Sequence, residues 1–148
     1  MDDTPGVHLQ LLRGFALTIG PERVPLVWNS QRLLAFLALQ RRPVGRMYAA
    51  EALWPRATGP KAGANLRTAL WRAQRLCSRL VGTSSQQLFL MPDVVVDVHR
   101  AEAVAHRLLD DDAPFDKGVP APVRADLSAD LLPEWCDDWI LLEREQYH

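Results

Sequence analysis

The sequence predicts an α+β domain: a small N-terminal antiparallel sheet, three helices, a β-hairpin, and a helical extension behind them. Three observations predict it. Apolar residues alternate with period two near the start of the chain. They recur at helical spacing from about residue 30 to residue 79. That spacing is lost between residues 80 and 98, where Val, Leu and Phe accumulate.

"VHLQLLRG" places Val7, Leu9 and Leu11 on one face, as a strand does. Gly14 interrupts it and "FALTI" opens a second strand. "GPER" has turn chemistry, and "VPLVW" reads as a third short strand, Pro25 making it an edge or irregular one. Asn29 or Ser30 then caps a first helix, "QRLLAFLALQRR", which Pro43 stops. A second helix, "RMYAAEALW", follows Gly45 and ends at Pro55. "PRATGP" is a loop, and Pro60 suits the first turn of a third helix expected to run to about Arg79. "LVGTSSQQLFLMPDVVVDV" reads as a β-hairpin. Asp97 can cap a further helix, "VHRAEAVAHRLL". "DDDAPFDKGVPAPV" reads as a linker, and "RADLSADLL" and "DDWILLEREQYH" as two helical pieces split by Pro133. Two helices joined by a short loop and followed by a two-stranded ribbon have the order of a winged helix-turn-helix. The expected organisation is residues 1–98 as that domain and 99–148 as the start of a helical one.

Composition narrows the function classes. The chain has 148 residues, 48% hydrophobic and 24% charged, enough for one compact domain, or a small domain with an appendage, around a real core. It shows no signal-peptide pattern and no apolar run near about twenty residues, so secretion and membrane spanning are not expected. Cys77 and Cys136 form no CxxC and no metal spacing, which fits a reduced cytoplasmic protein with Cys77 as a buried thiol. His8, His99, His106 and His148 build no metal site, and Ser84 and Ser85 have no base in a recognisable motif. Asp110, Asp111 and Asp112 read as solvated linker rather than a cation site. No enzyme and no cofactor is expected.

Charge is the sharper signal. Asn29 to Leu80 holds ten Lys and Arg against one acid, Glu51, whereas Asp93 to His148 holds fourteen acids against five Lys and Arg. Val81 to Pro92 between them is uncharged. A basic half of this kind suggests a nucleic-acid face, the plainer alternative being two solvated surfaces.

The third helix concentrates the signal. At 100° per residue, Leu66, Leu70, Ala73, Cys77 and Leu80 share one side. Lys61, Ala64, Thr68, Trp71, Arg72, Arg75 and Arg79 share the other, with Asn65 and Arg67 flanking it. Arg72 and Arg75 can each reach guanine O6 and N7, and Thr68 can offer a methyl or a hydroxyl to a base. Lys61, Asn65, Arg67 and Arg79 are flanking or phosphate candidates, although Asn65 can equally bond nearby backbone. Gln31, Arg32 and Arg46, opening the first and second helices, are secondary phosphate candidates. Trp71 lies at the edge of the face. It can cover the sugar–phosphate backbone or fold onto the hairpin near Leu88 or Leu90, and bracing the hairpin is the favoured expectation. Trp135 and Trp139, four apart, would share a helical face if the turn after Pro133 is helical. Core packing is the plainer reading for them; the sharper one has the acidic segment contacting the basic half and competing with DNA.

Three stretches carry a resemblance. "WNSQRLLAFLALQRRPVGRMYAAEALWP", "ANLRTALWRAQRL" and "LLPEWCDDWILLERE" resemble the Streptomyces antibiotic regulatory proteins, from Val7 to His148. The resemblance implies an OmpR-type winged-helix domain followed by a bacterial transcriptional activation domain. It implies DNA-binding activation of biosynthetic genes at direct repeats, with two protomers in tandem and contact to RNA polymerase and its sigma factor. It places Thr68 and Arg72 where OmpR-type helices commonly approach bases. It places Arg56, in "WPRATGP", where such activators meet the polymerase. Two departures stand out. The helical domain is much shorter than the family's, so a truncated or unusually short member is expected. The hairpin has no Lys or Arg, which weakens minor-groove insertion and leaves an alternative: a winged-helix module for protein contacts, with weak or no specific DNA binding.

Overall fold

The computed structural model describes residues 5–110 and 129–147. It is a mixed α+β arrangement. Strands β1 (Val7–Gln10), β2 (Ala16–Ile19) and β3 (Glu22–Arg23) precede helix α1 (Trp28–Gln40). Strand β4 (Val44–Gly45), helix α2 (Arg46–Leu53) and helix α3 (Gly59–Leu76) follow. Strands β5 (Val81–Ser84), β6 (Gln87–Leu90) and β7 (Val95–Val96) lead to helix α4 (Asp97–Asp110), and helix α5 spans Asp138–Tyr147.

Two sheets form. The first has the order β3-β2-β1-β7, antiparallel except where β7 returns parallel to β1. The expected antiparallel sheet is therefore mixed, because the chain comes back from the hairpin to close its edge. The third strand also differs from expectation. Gly20 (φ 61) and Pro21 make a two-residue turn, so Glu22 pairs with Ile19 at once and "VPLVW" lies largely outside the sheet. Pro25 has no N–H to offer a ladder there.

The second sheet, β4-β6-β5, is antiparallel throughout. Its hairpin turns on Ser85 and Gln86, both in left-handed backbone (φ 46 and 69), which matches the right-handed twist of paired strands. Gly82 faces Phe89 across the ladder; a Cβ there would come within 2.3 Å of the Phe89 ring, so glycine lets that ring close over the strand.

Helix termini depart from simple capping. α1 starts at Trp28, its N-cap is Val27, and no side chain caps it. Ser30 instead donates its hydroxyl to the Ala69 carbonyl of α3 at 2.9 Å. Gly45 precedes α2, as expected. Thr58 caps α3, accepting from the Lys61 N–H at 3.3 Å, with Pro60 in the first turn. α3 stops at Leu76, earlier than expected, because Cys77 turns extended. Asp97 opens α4, accepting from the Val98 N–H at 2.8 Å, and also accepts from the N–H groups of Leu11 and Leu12 at 2.9 and 3.1 Å.

One hydrophobic cluster joins residues on both sides of Val98. Phe36, Leu33, Leu37, Leu66, Leu70 and Leu88 are buried in it, and so are Leu131, Leu132, Trp135, Trp139 and Ile140. Residues 129–132 are not helical. They run beside the end of β1, with Leu12 bridged to Leu131 and Leu132 N–H donating to Leu11 at 2.9 Å. Residues 124–128 of the expected helix, most of the expected linker, Asp111 and Asp112, and His148 lie outside the described residues. Trp135 lies before α5 rather than within it, so the two tryptophans share no helical face. They still meet edge to face at 6.2 Å; Trp135 also stacks on Phe15 and meets Trp28 edge to face, and Trp139 meets Phe36 edge to face. Among the described residues, no helix is long and apolar enough to cross a membrane.

Candidate nucleic-acid interface

α3 is built to show one face. Ala62, Leu66, Ala69, Leu70 and Ala73 recur at three- and four-residue steps and are buried. Small alanines between the leucines let the helix approach closely. The opposite face is exposed at Lys61, Thr68, Trp71, Arg72 and Arg75, with Arg67 exposed beside it and Asn65 half-buried on the flank. Arg75 is also the basic residue of the last turn, where a cation suits the helix dipole.

Trp71 is 57% exposed. The Arg75 guanidinium carbon lies 5.0 Å from the centre of its ring, a cation–π pair. The sequence favours Trp71 bracing the hairpin; the ring contact found is instead this pairing with Arg75 along one helix, and more than half of the residue stands in solvent. An i, i+4 step puts the two side chains on one face, and the planar guanidinium stacks where a lysine would not. The arrangement presents a cation and an aromatic face together, with Thr68 and Arg72 alongside.

A second feature adjoins it. Arg46, Met47, Glu51, Gly63, Arg67 and the hairpin tip line a cleft of about 630 Å³ between α2, α3 and β5–β6. Gly59 and Gly63 keep its α3 wall low, and Arg67 lies back over Gly63. The hairpin contributes Thr83, Ser84, Ser85 and Gln86, all exposed and neutral. These were not singled out as contacts from the sequence; their signal was the two-residue polar turn between two strand-like runs.

Four expected contact residues lie elsewhere. Arg32 is 9% exposed and is ion-paired to Asp137 at 2.7 Å, with a further hydrogen bond to the Leu53 carbonyl. It is an interior residue, not a phosphate-facing one. Gln31 donates to the Leu26 carbonyl at 2.8 Å and closes the loop before α1. Arg79 lies past the end of α3, half-buried, and donates to the Pro5 carbonyl at 2.7 Å. Arg56 is exposed in the α2–α3 loop, on a cleft it shares with Trp54, Lys61, Cys136, Asp137 and Asp138.

Acids pair with the basic half at and just after α1, and Asp137 and Asp138 also line the cleft that holds Arg56 and Lys61. Asp137 pairs with Arg32, and Glu102 of α4 pairs with Arg41 beside Glu143 of α5. Burial raises the Glu143 carboxyl above its ordinary range, against the pull of Arg41. Burial likewise lowers Arg41. Behind them His99 of α4 is hydrogen-bonded through Nε2 to the Ala38 carbonyl at 2.7 Å, and burial lowers its pKa. Among the described residues, no group of His, Cys, Asp and Glu is placed to hold a metal ion.

No family model and no curated protein matches this chain. Among solved structures, Mycobacterium tuberculosis EmbR in complex with a low-affinity phosphopeptide is similar over 97% of this chain, with a TM-score of 0.59 and 18% identity. The chain spans 40% of the length of that protein. At this identity the likeness is one of fold.

Proposed function

We propose that this chain is a sequence-specific DNA-binding transcription activator on an OmpR-type winged helix. In this reading residues 1–98 form the DNA-binding domain and residues 99–148 begin a helical activation domain. α3 enters the major groove, Thr68, Arg72 and Arg75 approach base edges, and Lys61, Asn65, Arg67, Trp71 and Arg46 meet the backbone. The observation that carries the reading is the exposed, acid-free face of α3, opposite a fully buried one. The charge split, the resemblance to the Streptomyces antibiotic regulatory proteins and the likeness in fold to EmbR support it. The reading assigns no catalytic role. Two protomers would sit in tandem on direct repeats, with the α2–α3 loop and Arg56 turned to RNA polymerase.

The neutral hairpin tip favours a specific variant of this reading. Thr83, Ser84, Ser85 and Gln86 would touch phosphate through hydroxyl, amide and backbone donors, so the hairpin would add affinity without adding salt dependence. A binding titration over a salt series tests the whole. A specific binder gives a steep fall of log K with log salt and a preferred sequence over competitor DNA. A shallow slope with no preference would favour a protein-interaction module.

A further inference from the structure

The first turn of α1 carries side chains that reach three other parts of the molecule. Ser30, wholly buried, ties α1 to α3 through the Ala69 carbonyl. Asn29 accepts from Arg32 at 3.4 Å. Arg32 reaches furthest. Its Nε donates to Asp137 Oδ2 at 2.8 Å, and its Nη2 bonds the Leu53 carbonyl. Its guanidinium carbon lies 5.4 Å from the centre of the Trp54 ring. Leu53 is the last residue of α2, so its carbonyl has no partner within the helix. Trp54 is the residue that leaves α2 for the loop into α3.

Asp137 is fixed from its own side. The Trp139 indole N–H donates to the same Oδ2 at 2.9 Å. Trp135, Trp139 and Ile140 around it are buried, and Leu131–Leu132 is bonded along the end of β1. Arg144 of α5 closes the turn between, donating to the carbonyls of Leu131 and Trp135, each at 2.9 Å. The carboxylate therefore stands at a set place relative to β1 and α1. Only Pro55, Arg56 and Ala57 separate Trp54 from Thr58, the cap of α3. A displacement at Leu53 or Trp54 reaches the first turn of α3 with little chain to absorb it.

We propose that Arg32 and Asp137 are positioning residues for the α3 surface: through one buried guanidinium, the segment 129–147 sets the α2–α3 loop and the start of α3. A buried ion pair is a weak source of stability, since apolar replacement often does as well. What this one adds is a planar fork that grips a carboxylate and a helix-end carbonyl at once. The consequence for binding rests on the DNA-binding reading above; the linkage itself rests on the contacts alone.

Two variants of the full chain test it. Asp137→Asn keeps the shape and removes the charge. Arg32→Lys keeps the charge and loses the fork. Amide hydrogen exchange in the free protein is expected to speed up at residues 54–61 by about tenfold in both, with the β5–β6 hairpin unchanged. Specific DNA binding is expected to weaken about three- to tenfold, with an unaltered slope of log K against log salt, because no phosphate contact is lost. Arg32→Gln, which removes the charge, checks the alternative: a slope shallower by about one would mean that Arg32 touches phosphate, and would overturn the proposal. Unchanged exchange at residues 54–61 in a folded variant would overturn it too. If the wild-type chain binds no DNA, the functional reading falls, while the exchange result still decides the linkage. Should one variant fail to fold, the other carries the test.

Discussion

α1 and α3 both contribute arginines to the basic half of the chain, and the two sets live in different surroundings. On α1, Arg32 lies inside the molecule between Asp137, the Leu53 carbonyl and the Trp54 ring; on the turn that ends the helix, Arg41 is paired with Glu102. On α3, Arg72 and Arg75 stand in solvent, and Arg75 lies on a tryptophan of its own helix. Equal formal charge thus serves two ends. The α1 cations are spent on acids from the C-terminal half, which holds that half against the helices. The α3 cations stay open to a ligand. The opposite charges of the two halves pair at Arg32 and Arg41; on α3, Lys61 at the start shares a cleft with Asp137 and Asp138, while Arg72 and Arg75 further along are exposed.

The comparison breaks most visibly at Arg32. Arg32→Ala strands a carboxylate that is mostly buried and frees the Leu53 carbonyl, so urea unfolding should show a loss of about 3–5 kcal/mol. Arg72→Ala should leave the unfolding midpoint within about 0.5 kcal/mol of wild type. A smaller effect falls on binding: Arg72→Ala should cost about 1–3 kcal/mol of discrimination at one base position, seen in competition titrations with single-base operator variants. If Arg32→Ala were as harmless to folding as Arg72→Ala, the distinction between the two sets would be lost.

How far the sequence showed this division depends on the distance between partners. The exposed face of α3 was legible because its signal is local: Leu66, Leu70 and Ala73 recur at helical spacing, and the cations fall opposite. The hairpin was legible from lost helical periodicity and from its content of Val, Leu and Phe. Arg32 was not. Its partner Asp137 is 105 residues away, and nothing in "NSQRLL" marks one arginine of a basic helix as interior. The cap at Asp97 was visible, but its grip on Leu11 and Leu12 is likewise a long-range contact. Residues 130–132 look helical by composition, yet pairing with the end of β1 and the left-handed turn at Leu132 (φ 40) win there. Trp71 was correctly placed on the outer face. Its neighbour was not legible, because spacing shows that Arg75 shares the face but not that the guanidinium turns onto the ring.

Two smaller effects sharpen the picture. Thr58→Ala removes the side-chain cap of α3 and should cost about 1 kcal/mol in thermal unfolding, with weaker DNA binding if the start of α3 matters. At His99, burial holds the folded pKa below the ordinary value of 6.5. The unfolded chain then binds the proton first as pH falls. The stability tied to neutral His99 is therefore complete above that value and lost as pH drops from about 6.5 toward the lowered folded value. His99→Gln, which keeps a donor for the Ala38 carbonyl, should show a flatter stability profile across that window. An identical profile in the two proteins would remove His99 from the account.

Selection of bound sequences from a random duplex pool tests the proposal that the open arginines of α3 read DNA. The wild-type chain should enrich one motif, repeated in tandem. Arg72→Ala should lose the preference at one position of that motif while keeping the rest. Enrichment of no motif by the wild-type chain, with a shallow dependence of binding on salt, would contradict the account.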